Sequence, residues 1–318
     1  MTVIRSPAEF DSGDLYVDLR ESVGVPLFLK CEGFNFARSI KLKAATEMVD
    51  GAERRGVLRP GMTIVESSSG NLGVALSMLA ASRGYQFVCV TDARCTVSSR
   101  RMMRALGAEV HVITEPKPEG GFLAARIDHV RELCAGEPGV VWLNQYANPD
   151  NCGAHYRRTG PEILAAFPGV EVLFVGAGTT GTLMGCARYL RDRRHDAKVV
   201  AIDVVGSVTF GGPAGVRMIP GLGTGIRPAQ LDESLVDDVV IVEERETVAM
   251  CRELAARGFV FGGSTGTVVS GARRWLARHR PDADVVAVAI APDLGESYLD
   301  SVYNDDWVRD LPGSPPKP

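Results

Sequence analysis

Nine short runs rich in Val and Ile recur along the chain: PLFLK, TIVES, QFVCVT, EVHVIT, VVWLN, VEVLFVG, KVVAIDV, VDDVVIV and ADVVAVAIA. Most of the gaps between them hold ten or more residues with the spacing of a helix, so the chain reads strand, helix, strand many times over. That repetition predicts an α/β fold with parallel sheet covered by helices on both faces. A length of 318 residues suits one large or two medium domains. A boundary falls near residue 150, where NQYANPDNCG breaks the pattern. No repeat of fixed period occurs, and the Pro-rich tail LPGSPPKP is expected to be disordered.

Composition narrows the function. A net charge of -4 argues against an electrostatic grip on nucleic acid or an anionic membrane. Basic runs such as RRMMR and RYLRDRRH then read as solvated helix faces. No window approaches the roughly 20 apolar residues of a spanning helix, and MTVIRSPAEF does not resemble a secretory leader. A cytoplasmic protein is expected. The seven cysteines are scattered and free of C-x-x-C, as buried thiols of a reducing compartment are. Cys152 and His155 have a spacing compatible with metal, but without a second pair packing is the stronger reading, and no metal is expected.

Three segments share one local arrangement: small residues and hydroxyls between an apolar run and a helix. They are SSSGNLG after TIVE, GAGTTGT after VLFV and GGSTGT after GFVF. Each puts unpaired backbone N–H groups and a helix dipole where an anion binds well. In open sheets of this kind a ligand sits beyond the carboxyl ends of the strands, where all three segments would lie. The middle one also satisfies G-x-G-x-x-G at Gly176, Gly178 and Gly181, with Asp203 ending the next strand 22 residues later. On that motif alone a nicotinamide-dependent oxidoreductase stands level with any other reading. It leaves the other two segments unexplained, and Thr179, Thr180 and Thr182 suit a phosphate monoester better than a pyrophosphate. A cofactor with one phosphate, one polar ring and one aldehyde would use all these parts, and pyridoxal phosphate fits.

An aldehyde calls for an amine, and FNFARSIKLKAA supplies two. Ser39 reads as an N-cap, starting a helix that stops near Gly56. Two residues of helix turn through about 200°, so Lys41 and Lys43 leave on nearly opposite sides. The reactive one needs an amine available near neutral pH, which burial and neighbouring positive charge supply. Physical reasoning leaves the choice between them open.

FNFARSIKLKAA, VESSSGNLGVALS, RALGAEVHVI, NQYANPDNCGAHYRRTGPEI, FVGAGTTGTLMG, PGLGTGI, FGGSTGTVVSGA and APDLGESYLD, in this order, resemble the cysteine synthase family over residues from about 15 to 308. This is the β-replacing branch of fold type II, or tryptophan synthase β-like, pyridoxal phosphate enzymes. The resemblance implies two open, mostly parallel sheets with helices on both faces. A smaller mobile domain would span 40–150, a larger cofactor-binding one 1–39 plus 151–308, and a tail 309–318. The family's Asn-x-x-x-Ser-x-Lys motif falls on Asn35, Ser39 and Lys41, which makes Lys41 the Schiff-base residue and leaves Lys43 a structural role. Carried over likewise, Asn71 meets the cofactor's ring oxygen, and Gly178, Thr179, Thr180, Gly181 and Thr182 hold its phosphate. Ser264 faces the pyridine nitrogen and, as a neutral hydroxyl, leaves it uncharged, while Ser68, Ser69 and Gln145 bind the substrate's α-carboxylate.

Within the family the chain is most similar to enzymes that add the amino group of L-glutamate to the aminoacrylate made from O-phospho-L-serine. Their product, N-(2-amino-2-carboxyethyl)-L-glutamate, is a precursor of 2,3-diaminopropionate in siderophore and peptide antibiotic pathways. The resemblance also implies a homodimer. Rivals are a sulfide-using cysteine synthase or cystathionine-forming enzyme, the nicotinamide-dependent oxidoreductase, and a pyridoxal-binding protein without turnover. Both proposed substrates carry extra negative charge, for which Arg38 and Arg217 are candidate partners. Three positions depart from the family pattern. Phe36-Ala37-Arg38 replaces Pro-Gly-Gly, Leu72 replaces a Thr, and Thr180 replaces a Gly and is expected to need an ordinary backbone conformation.

Overall fold

A computed structural model describes residues 3–10, 12–280 and 284–311. The strands are β1 (Tyr16–Asp18), β2 (Phe28–Cys31), β3 (Thr63–Ser67), β4 (Gln86–Asp92), β5 (Glu109–Ile113), β6 (Val140–Trp142), β7 (Val172–Gly176), β8 (Lys198–Val204), β9 (Asp238–Val242) and β10 (Ala287–Ala291). They form a four-stranded sheet, β5-β4-β3-β6, and a six-stranded sheet, β1-β2-β10-β7-β8-β9. Every pairing is parallel except β1 with β2.

Continuous apolar runs form these strands because both faces are covered. In β7, Val172 and Phe174 point into a core shared with the helices Glu244–Ala255 and Gly263–His279, while Leu173 and Val175 point into another with the Gly181–Asp192 helix. In β3, Ile64 packs toward the helices Lys41–Arg54 and Asn71–Arg83, and Val65 toward the Gly121–Gly136 helix. Period-two side-chain direction thus gives each strand two buried faces.

All nine predicted runs contain a strand. β1 was not anticipated, because its three residues pair on one side only and carry no apolar run. GFVF is not a strand either: Phe261 makes an isolated bridge to Leu294. Both sheets reverse strand order at one place, between β3 and β6 and between β7 and β10. Such reversals leave a crevice beyond the carboxyl ends of the strands. Of the Pro-rich tail, residues 312–318 lie outside the described residues, and Leu311 is buried beside Val302 and Tyr298.

Candidate active site

The two crevices meet in one cavity of about 150 Å³. The four-stranded sheet contributes Ser68, Ser69, Gly70, Asn71 and Leu72 after β3, and Gln145 and Tyr146 after β6. The six-stranded sheet contributes Gly178 to Thr182 after β7 and Pro292 after β10, with Ser264 from the start of the Gly263–His279 helix. Lys41 enters from the first turn of its helix.

Ser39 does not cap that helix. Ile40 holds the cap position, and the Ser39 hydroxyl is buried with no hydrogen-bond partner. Chain entry is instead fixed by Asn35, whose side-chain N–H groups donate to the carbonyls of Glu32 and Ser39 and whose oxygen accepts from Ala37 N. A backbone bridge from Ser39 to Asp293 completes the hold. The helix ends at Arg54, near the expected Gly56.

Both lysines turn inward, each to its own surroundings. Lys43 donates to Glu32 Oε1 at 2.8 Å and Glu162 Oε2 at 2.5 Å, and Lys30 lies 2.9 Å from the same Glu162 oxygen. Burial opposes the Glu162 charge, but Lys43 and Lys30 outweigh it and hold the carboxyl below its ordinary range. Lys41 lines the cavity, and burial pushes its amine down to about 8 while the Asp293 charge pulls the other way. No neighbouring cation is needed to lower it.

Asp293 is buried and was not singled out in the sequence. Its Oδ2 accepts from Tyr298 Oη at 2.6 Å and from Asn71 Nδ2 at 2.9 Å. Burial raises its pKa to about 6, with Tyr298, Asn71 and Lys41 restraining the rise. Under the loop after β3, burial likewise brings Glu66 up to about 7, although Trp142 Nε1 and the backbone N–H groups of Ser67 and Gln145 donate to it. Ser68 Oγ accepts from Gly70 N and Gly73 N, so it shapes its own loop as well as facing the cavity. Gln145 Nε2 donates to the Ser67 carbonyl at 2.7 Å.

The loop after β7 is built for close approach. A Cβ at Gly178 would lie 2.9 Å from the Gly221 carbonyl, so a side chain there would meet the opposite wall. Asn151 Nδ2 donates to Thr179 Oγ1, and His155 joins Thr182 Oγ1 at 3.1 Å and Thr159 Oγ1 at 3.0 Å. Both imidazole nitrogens are thereby engaged by hydroxyls, and Cys152 faces Arg188 instead. Thr180 overturns an expectation, for it adopts φ +65°. That conformation disfavours a β-branched residue. Its hydroxyl donates to the Thr179 carbonyl at 2.7 Å, holding the turn. Arg38 has φ +55° and so keeps the backbone shape natural to glycine.

Arg38 does not line the cavity. Its guanidinium is half exposed and pairs with Glu296 at 2.9 Å. Arg217 does line it, and so do Arg94 and Arg126, which the sequence reading missed. The signal for Arg126 was present: Leu123, Arg126 and Val130 are the buried residues of the Gly121–Gly136 helix, a charge within an apolar stripe. Arg126 Nη1 is buried without a hydrogen-bond partner, and its Nε sits 3.3 Å from Asp92 Oδ2, too poorly aligned for a hydrogen bond. Burial, then the nearby Arg94 charge, lower the pKa of Arg217. Asp203, the acid of the dinucleotide reading, is buried in β8 and accepts from Val204 N, away from the cavity.

A helix-start loop with closely approached glycines and hydroxyls, a lysine with a lowered pKa, and Asn71 and Ser264 lining the same cavity fit pyridoxal phosphate. The family described as pyridoxal-phosphate dependent enzyme matches residues 16–291. The chain belongs to that family. It is 40% identical over 290 residues to an N-(2-amino-2-carboxyethyl)-L-glutamate synthase of Ralstonia nicotianae, covering 91% of this chain and 85% of that protein. A protein of the same name from Cupriavidus metallidurans is 37% identical over 302 residues, covering 92% and 87%. The crystal structure of a hydrogen sulfide-producing enzyme from Fusobacterium nucleatum superposes with a TM-score of 0.87 at 29% identity, over 93% of this chain and 100% of that one. The protein is therefore a pyridoxal phosphate enzyme of the fold type II architecture, and the oxidoreductase reading falls. Among the described residues no helix is long and apolar enough to cross a membrane.

Proposed function

We propose that this chain joins the amino group of L-glutamate to Cβ of O-phospho-L-serine, releasing phosphate and forming N-(2-amino-2-carboxyethyl)-L-glutamate, a 2,3-diaminopropionate precursor. The observation that carries the choice of substrates is the trio Arg94, Arg126 and Arg217 around one cavity with Lys41. Arg94 pairs with Asp92 and Arg217 donates to the Gly206 and Thr224 carbonyls, yet the Arg94 charge still lowers the Arg217 pKa, and Arg126 has an unpaired buried nitrogen. Sulfide relieves neither strain well, whereas a phosphate and a second carboxylate answer both. The names of the two bacterial relatives, each matching more than nine-tenths of this chain, agree.

In this reading Lys41 would hold the cofactor, Gly178 to Thr182 would take its phosphate, and Asn71 and Ser264 would meet polar atoms of its ring. Bound pyridoxal phosphate withdraws electrons from the substrate's α-carbon and so acidifies its hydrogen. Ser68, Ser69 and Gln145 seat the α-carboxylate and turn that hydrogen toward Lys41. The Lys41 amine takes the proton, the Cβ–O bond breaks with phosphate leaving, the glutamate nitrogen bonds to Cβ and gives up a proton, and Lys41 returns the α-proton. Residues 40–150 act as the smaller domain, closing over the cavity to keep water out. The enzyme works as a homodimer in the cytoplasm, with sedimentation as the check on the dimer.

Loaded protein given O-phospho-L-serine with glutamate, sulfide and homocysteine in parallel, and assayed by mass spectrometry, tests the proposal. The glutamate adduct is the expected product. Rapid cysteine or cystathionine formation without that adduct would replace this reading with a sulfur-using one, and no product from any pair would leave a binding protein.

A further inference from the structure

Glu66 is a buried carboxylate near the end of β3 that does not line the cavity and has no part in the chemistry proposed above. Its two oxygens reach different loops. Oε1 accepts from Ser67 N at 2.8 Å and from Trp142 Nε1 at 3.0 Å, and Oε2 accepts from Gln145 N at 3.1 Å. One side chain thus joins the segment that carries Ser68 and Ser69 to the segment after β6 that carries Gln145, and all three of those residues line the cavity. β3 and β6 are neighbours in the four-stranded sheet.

Gln145 is held from the opposite direction as well. Its carbonyl accepts from Asn151 Nδ2 at 2.8 Å and from Gln230 Nε2 at 3.3 Å, and the same Asn151 nitrogen donates to Thr179 Oγ1 in the loop after β7. The Gln145 backbone is therefore shared: its N–H is tied to the four-stranded sheet through Glu66, and its carbonyl toward the six-stranded one through Asn151 and Thr179. A second tie to its own sheet runs from Gln145 Nε2 to the Ser67 carbonyl.

Each hydrogen-bond partner of Glu66 is a donor, so a charged carboxylate suits all three. A proton would go to Oε2, which has one donor where Oε1 has two, and would there oppose the Gln145 N–H. Burial favours that proton and brings the pKa up to about 7, with the three donors and then Arg126 holding it down. The titratable groups that face Glu66 are Arg126 and Cys134 on the Gly121–Gly136 helix, Cys89 in β4 and Tyr146 after β6. Burial raises both thiols and the phenol, so they stay uncharged at neutral pH and Arg126 is the countercharge among them.

We propose that Glu66 is a positioning residue whose charged carboxylate clasps the loops after β3 and β6 together, setting Gln145 against Ser68 and Ser69 to form the seat for the substrate's α-carboxylate. It rests on the reading above in which those three residues bind that carboxylate, and is independent of leaving group and nucleophile. Loss of the charge leaves the Gln145 N–H without its acceptor while Asn151 keeps the carbonyl, so the two halves of the seat part.

L-Serine and ethanolamine test the clasp, because they differ only by the α-carboxylate. Each is titrated into protein loaded with pyridoxal phosphate, and the change in the cofactor's visible absorbance gives its dissociation constant. The ratio of the two constants reads the carboxylate seat, since titration of the cofactor and of the ligand amines affects both probes alike. In the wild type the ratio should favour L-serine at about pH 8 and fall by about tenfold toward about pH 6, as Glu66 takes up its proton. Glu66→Gln puts an amide nitrogen in place of one oxygen and should show the lower ratio at every pH, with ethanolamine bound as in the wild type. A wild-type ratio that favours L-serine and holds level across that range overturns the proposal whether or not the variant folds. So does a Glu66→Gln ratio equal to that of the wild type at the alkaline end. Failure of the underlying reading looks different: a wild-type ratio near one throughout removes the carboxylate seat and this proposal together, whereas a high ratio indifferent to Glu66 removes this one alone.

Discussion

The two sides of the first turn of the Lys41–Arg54 helix place lysines two residues apart in opposite electrostatic situations. On one side Lys43 meets Glu32 and Glu162, with Lys30 completing a buried set of two cations and two carboxylates. On the other, Lys41 meets a cavity and the single carboxylate of Asp293, which Tyr298 and Asn71 already engage. Both turn inward, so the number of free carboxylate contacts separates a lysine bound into an ion cluster from one whose amine becomes available near neutral pH.

Replacing each lysine should therefore damage different properties. Lys41→Ala should lower turnover by at least about 10³-fold, since in the proposed function it removes both the cofactor's anchor and the base. Its stability should not fall: burial lowers the Lys41 pKa in the folded state, so the charged side chain is a liability there below about pH 8, and that liability disappears with the residue. Loss of stability with retained turnover would break the contrast. Lys43→Met should instead cost about 3 kcal/mol in chemical denaturation, because it leaves a buried carboxylate short of a partner. A Lys43→Met protein as stable as wild type would show the ion cluster to be dispensable.

Smaller effects sharpen the comparison. Uptake of pyridoxal phosphate by the cofactor-free protein requires the neutral amine. Its rate should rise about tenfold per pH unit and level off near pH 8, the value to which burial lowers Lys41; a rate still climbing through pH 10 would mean that burial does not lower this amine. Asp293→Asn removes the charge that pulls Lys41 upward, so the same profile should level off at a lower pH, by less than the shift that burial produces. An unmoved profile would show that Asp293 does not act on Lys41 through charge.

The parts of this site that were legible in sequence are those written in local pattern. Apolar runs ending in small and hydroxyl residues gave the strands and the loops after β3 and β7, because buried parallel strands admit few polar residues and helix starts at a ligand need small ones. What escaped depends on long-range closure. Ser39 looked like a cap, but a bridge to Asp293, 254 positions away, and the side chain of Asn35 set the chain's path. Thr180 and Arg38 look unsuited to left-handed backbone, and only the surrounding structure holds them there, through the Thr179 carbonyl and through Leu294 N donating to the Arg38 carbonyl. Asp293 lies in APDLGESYLD, but nothing in that segment marks it as a site residue. Its importance comes from Tyr298 and Asn71, which converge on one oxygen from short segments that follow β10 and β3, strands of different sheets.

Borohydride reduction of the loaded protein, followed by tandem mass spectrometry of the peptide holding both lysines, tests the central claim most directly. A pyridoxyl mass on Lys41 with Lys43 unmodified is the predicted result. The adduct on Lys43, or none on either lysine in a protein that binds the cofactor, would contradict it.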